Sequence, residues 1–179
     1  MKKIRLIACA LAIASFGFTS CNDDDDDDAP IVYPDVSIAG TYALVAVNTG
    51  SPTDFNEDGT ENGNQMLEST CYNGSKIVLA PDGTLAYHIK KIVVDEVNGT
   101  SACSDEYVGL GTWVLDGGSG TTAVIDATYE AENGDIIDIT LNKTGSQLQL
   151  YSILAQYPDK NSDGDAYYNV GDLELLFKK

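Results

Sequence analysis

Between Thr41 and Phe177 the chain alternates short runs of aliphatic, β-branched and aromatic residues with clusters of Gly, Asn and Asp. The alternation is plainest at 135–142, where Ile137, Ile139 and Leu141 oppose Asp138 and Thr140. It recurs at 167–177, where Leu173, Leu175 and Phe177 oppose Asp172 and Glu174. A period of two turns one face of an extended segment into a core and the other into water, as antiparallel sheets require. No stretch carries a sustained helical period with caps at both ends. The pattern predicts eight strands, at 41–48, 75–80, 84–95, 107–115, 121–130, 135–142, 146–156 and 167–177. Their length suits one all-β domain over residues 38–179.

The connections fall into two classes. Pro81-Asp82-Gly83, Asp116 to Gly120 and Asn142 to Gly145 read as tight hairpin turns. Thr49 to Gly74 is far longer than most loops, and 98–105 and 157–166 are intermediate. Successive connections of an up-and-down meander alternate between ends. All the long ones then share one rim and the tight turns share the other, which describes a cup. The expected architecture is an eight-stranded antiparallel up-and-down barrel, with a β-sandwich of similar length as the alternative. The first strand starts at the short-turn end, so the long-loop rim faces away from whatever holds the N-terminus.

That N-terminus carries an address. Lys2, Lys3 and Arg5 precede an apolar run from Leu6 to Phe18 that is too short to cross a bilayer and has the proportions of a secretory signal. Phe18-Thr19-Ser20-Cys21 resembles a bacterial lipoprotein box, which implies a signal peptide over 1–20 and acylation of Cys21; a plain signal with an incidental cysteine is the alternative. Acyl chains contribute about 0.8 kcal/mol per buried methylene, so several on one residue anchor firmly. Asp23 to Asp28 repel one another and cannot pack, so residues 21–37 are expected to form a disordered tether. Fully stretched, it reaches about 50 Å. An acidic run just after a lipid cysteine resembles the surface-export signal of Bacteroidota lipoproteins, implying a place on the outer face of the outer membrane.

Charge and cysteine usage narrow the partners. Of 10 basic residues, Lys2, Lys3 and Arg5 lie in the leader, which leaves 7 against 28 acidic residues and no arginine. Nucleic acid needs a basic footprint and is excluded as a partner. Cations, neutral glycans and apolar small molecules remain. Cys9 leaves with the leader and Cys21 takes the lipid, so in an oxidising compartment Cys71 and Cys103 most simply form one disulfide. In the barrel both fall at the long-loop rim. Zinc is disfavoured, since His88 is the only histidine and no CxxC spacing exists.

Three short motifs add a resemblance. Gly40-Thr41-Tyr42 opens the first strand where lipocalins have Gly-x-Trp, Gly111-Thr112-Trp113 matches the mid-chain Gly-Thr-Trp of lipocalin-like families, and Asp54-x-Asn56-x-Asp58-Gly59 with Glu68-x-x-Cys71 resembles their acidic first loop. Over residues 38–179 the chain is similar to the small lipocalin-like lipoproteins of Bacteroidota. The resemblance implies a calycin-type cup that captures a small apolar or amphiphilic ligand. The alternative is a structural or interaction lipoprotein that docks a surface protein or a glycan through its acidic rim.

The first loop also has the oxygen spacing of a calcium site. Asp54, Asn56, Asp58 and Asn62 stand where such loops place side-chain ligands, Thr60 offers a carbonyl, and Glu68 replaces the bidentate carboxylate that Gln65 cannot supply. Asp159, Asn161, Asp163 and Asp165 repeat the start of that pattern, and pairing of the last strand with the first brings the two loops together. Both runs equally suit solvated turns, which Asp, Asn and Gly favour for backbone reasons. Catalysis finds no constellation: His88 lies mid-strand beside Lys90 and Lys91, and no nucleophile elbow or phosphate loop is present. A non-enzymatic protein is expected. Tyr87, Tyr129 and Tyr151 are candidates to line the cup.

Overall fold

The computed structural model describes residues 37–179; the leader, Cys21 and the acidic run lie outside the described residues. Eleven strands and one turn of α-helix follow in chain order: β1 (Gly40–Thr53), β2 (Asn62–Asn64), α1 (Gln65–Glu68), β3 (Lys76–Leu79), β4 (Thr84–Ile89), β5 (Ile92–Asp95), β6 (Thr100–Cys103), β7 (Tyr107–Ser119), β8 (Thr122–Glu130), β9 (Ile136–Thr144), β10 (Gln147–Lys160) and β11 (Ala166–Lys178). Eight of them, β1, β3, β4 and β7 to β11, pair antiparallel in that order, and β1 pairs β11 from Ala43↔Lys178 to Thr49↔Leu173. The sheet is thus a closed barrel, as the alternation predicts. Closure removes the free edges that an open sheet of this size would expose.

The strand expected over 84–95 is two. β4 stops at Ile89, and β5 leaves the barrel to pair with β6 as a separate hairpin. Leu85, Tyr87 and Ile89 keep the inward period of two, but the next buried residue is Ile92, a step of three. Ser75 holds the corner: its Oγ accepts from the Lys90 amide at 2.9 Å and donates to the Lys90 carbonyl at 3.2 Å. The long first connection is also structured. It holds β2, α1 and a 3-10 turn at Thr70–Tyr72, and Asn64 Oδ1 caps α1 by accepting from the Met66 amide. A single capped turn is too short to show a helical period.

The short-turn end is packed solid. Tyr42, Ile77, Trp113, Ile125, Leu141, Leu148 and Phe177 fill it from seven strands, each almost fully buried. Trp113 seals the floor, its indole N–H donating to the Ala80 carbonyl at 2.9 Å while its amide donates to Gly83 at 2.8 Å. Tyr42 gives its hydroxyl to the Ile38 carbonyl at 2.6 Å. Each polar handle finds a carbonyl, which is what lets these rings be buried. Lys179 closes the outside, with Nζ on the Ala39 carbonyl and over the Tyr42 ring. The chain therefore enters the barrel at its short-turn end, as the connectivity predicts.

The Gly-Thr-Trp motif has a steric cause. A Cβ on Gly111 would overlap the Thr128 carbonyl of β8, whereas a Cβ on Gly117 of the same strand would meet nothing within 4 Å. Overpacking typically costs about 1–3 kcal/mol. Urea unfolding should therefore show Gly111→Ala destabilised by at least that much, while Gly117→Ala stays near wild type. Trp113→Ala should lose about 3–5 kcal/mol. Equal effects at the two glycines would remove the steric account.

Candidate functional site

Above the floor the packing changes character. Val47, Phe55, Tyr72, Ile92 and Ala166 form a second buried cluster. These residues come from β1, the long connection, β5 and β11, so the cluster acts as a roof. Between roof and floor lies a cavity of about 300 Å3, walled by Leu44, Val47, Tyr87, Ile89, Leu173 and Leu175 and reached by Lys90 and Lys91. No Asp or Glu lines it. In a chain this acidic, an interior whose only charged neighbours are two lysines is a separate electrostatic environment. Tyr87 separates floor from cavity, its ring edge-on to Tyr129 at 5.3 Å and to Phe177 at 5.9 Å. Burial pushes its phenol well above the ordinary range, and neighbouring Tyr129 adds to the shift.

The roof is tied down. Cys71 and Cys103 form the expected disulfide, 32 residues apart, joining the 3-10 turn to β6. On the other side the Val94 amide donates to Tyr168 Oη at 3.1 Å, and Ala166 and Tyr168 donate to the Gly99 carbonyl and to Glu96 Oε1. The β5–β6 hairpin is thus stapled to both neighbouring connections. Nothing in its four-residue strands marks it as a roof, because each is too short to show which face is buried.

A second cavity, of about 320 Å3, opens through the wall between β9 and β10. These strands share only four register pairs, Leu141–Thr144 with Leu150–Gln147. Above them β9 stays on β8 and β10 stays on β11. Tyr87, Leu173 and Leu175 line both cavities, which therefore adjoin. Tyr129 and Tyr151 line the second with Tyr87, so all three tyrosines singled out in the sequence meet there.

The first acidic loop folds onto itself. Asp54 accepts from the Asp58 and Gly59 amides at 3.0 and 2.9 Å, Asn56 Oδ1 from Asp58, and Asp58 Oδ1 from Thr60. Glu68 is buried and takes the Asn56 amide on one oxygen and the Asn62 side-chain amide on the other. The six expected positions thus gather around one turn. Their oxygens already serve backbone and amide donors, and among the described residues no three acidic, His or Cys side chains converge as a metal-ligand group. Gln65 is a strut, its Nε2 donating to Thr53 Oγ1 and to the Pro158 carbonyl.

The second run spans the end of β10 and the turn into β11. Asp159 turns to Tyr167 and Asn169, Asn161 Oδ1 caps the Asp163 and Asp165 amides, and Asp163 is exposed. The two loops do meet, through Glu57 and Lys160, paired at 2.8 Å, a contact that spacing alone does not single out. His88 is a half-buried wall residue, its Nδ1 3.4 Å from Glu106.

Comparison with protein-family models, curated proteins and solved structures gives no match. The barrel, its cavities and its rim therefore carry the functional reading.

Closing a loop of this length stabilises by about 3–4 kcal/mol on the chain-entropy model. Cys71→Ala/Cys103→Ala protein should lose a comparable amount in urea unfolding, with reduction of the wild type doing the same. A melting temperature indifferent to reductant would show that the staple adds nothing to stability.

Proposed function

We propose that the protein is a non-enzymatic capture module, anchored by lipid on Cys21 at the outer-membrane surface, whose upper barrel holds a small apolar or amphiphilic molecule. One observation carries the reading. The same eight strands that pack their lower half to near-complete burial leave about 300 Å3 open above Tyr87, walled by aliphatic side chains. Ligand sites are typically concave, mostly apolar and a few hundred Å3 or more in volume, with a few polar groups. Ser75, Tyr157 and Tyr168 supply such groups here. β1 begins at the floor, which suits an anchor on the side opposite the cavity. The lipoprotein box and the aspartate run support that anchor from sequence.

Native mass spectrometry of protein purified from its own host in mild detergent should show a retained small molecule, and the mass of the lipidated N-terminus in the same spectrum. Leu175→Trp, which fills the wall shared by both cavities, should weaken binding of an apolar fluorescent probe by roughly tenfold or more. Leu110→Trp on the exposed outer face should not. Absence of both retained ligand and probe binding would end the capture reading.

Calcium at the first loop is a separate part of the proposal, supported by the spacing of Asp54, Asn56, Asp58, Thr60, Asn62 and Glu68. A bound ion at a hundredfold over its dissociation constant stabilises by about 2.7 kcal/mol. Millimolar calcium should then raise the melting temperature by several degrees and EDTA reverse it. No change would remove calcium and leave the cup untouched.

A further inference from the structure

We propose that the ligand is a free single-chain amphiphile whose hydrocarbon tail enters sideways, through the gap between β9 and β10, rather than past the roof. The inference rests on the capture reading and specifies its ligand class and route.

The wall is weakly paired at this place. The β9–β10 ladder ends at Leu141↔Leu150, while β10 runs on to Lys160 with β11. The cavity there starts between Ile139 and Tyr151 and ends on Tyr87, Leu173 and Leu175, which are also walls of the interior cavity. Two adjoining apolar spaces in series suit a linear chain better than a compact ring system. The polar head then stays at the gap, where Asp138 and Ser152 stand in reach of water.

The lips of the gap are unusual for a surface. The β10–β11 register slips between Ser152 and Ala155, and Leu154 sits in the left-handed region at φ 53°. A bulge of this kind re-aims side chains, and a branched residue held at positive φ is strained. Its effect here is to leave Ile153 68 % and Leu154 76 % exposed, beside the cavity-lining Ser152 and Ala155, with Ile136 66 % exposed next to Ile137 on the other strand. Apolar lips on both sides of an apolar slot give a hydrocarbon tail a continuous path out of water. The roof, by contrast, is tied from two sides, by the disulfide and by the Tyr168, Gly99 and Glu96 contacts.

The test is stopped-flow binding of cis-parinaric acid, a linear fluorescent fatty acid, to the intact domain. Ala155→Phe, which plugs the gap, should slow uptake roughly tenfold. Ile153→Glu changes only an exposed lip residue and should slow it several-fold with the fold intact by circular dichroism. Reduction of Cys71–Cys103 should leave the association rate unchanged. Faster uptake on reduction, with both variants at the wild-type rate, would overturn side access while leaving the capture reading in place. Binding of a compact naphthylamine probe but not the linear acid would overturn the chain-shaped ligand. Probe taken up only with phosphatidylcholine vesicles present would make the lips a membrane contact and also overturn the proposal. No binding of either probe would remove the capture reading itself.

Discussion

The pairing of β1 with β11 is the interaction on which the rest of the molecule depends. It joins residues more than a hundred positions apart, from Ala43 with Lys178 to Thr49 with Leu173. Local propensity cannot produce it, and loop closure works against it until the interior is buried. Once made, it converts a meander with two exposed edge strands into a closed barrel. It also sets Phe177 edge-on to Tyr87 and Tyr42 into the floor, and brings the first acidic loop beside the second. Cavity, roof and rim all inherit their positions from that seam.

Stability and openness are divided along the barrel axis. Tight turns, a tryptophan sealing the floor and glycines that admit neighbouring carbonyls keep the base dense. A dense base gives the upper half rigid walls without requiring the upper half to be filled. The roof compensates for its thin core with a disulfide and with hydrogen bonds from the Val94 amide to Tyr168 Oη and from the Tyr168 amide to Glu96. Regions with few buried apolar contacts open most easily, and binding elements are drawn from them. The short β9–β10 ladder and the strained bulge at Leu154 belong to that same half.

Electrostatics follows the same division. Outside, the surplus of carboxylates keeps the surface solvated and repels other acidic surfaces. In the first loop Asp54, Asp58 and the buried Glu68 each accept from local amides, while Glu57 turns to Lys160. The cavity under the roof is lined by no carboxylate, and its charged neighbours are Lys90 and Lys91, whereas the side cavity has Asp138 at its mouth. The interior is thus a separate electrostatic environment from the shell.

The period of two and the turn chemistry determined, without coordinates, the strand count of the barrel, its antiparallel order and which connections share a rim. Those features are local: alternation in Ile137–Leu141 or Leu173–Phe177 states directly which side is wet. Cysteine arithmetic likewise determined the Cys71–Cys103 bond. Only the tertiary structure decided that β5 leaves the barrel to roof it, because that depends on Ser75 capturing Lys90 and on where Ile92 finds a core. It alone decided that the upper barrel is open and that β9 parts from β10. A cavity is the volume that side chains from distant strands fail to fill, and no residue on its own records it.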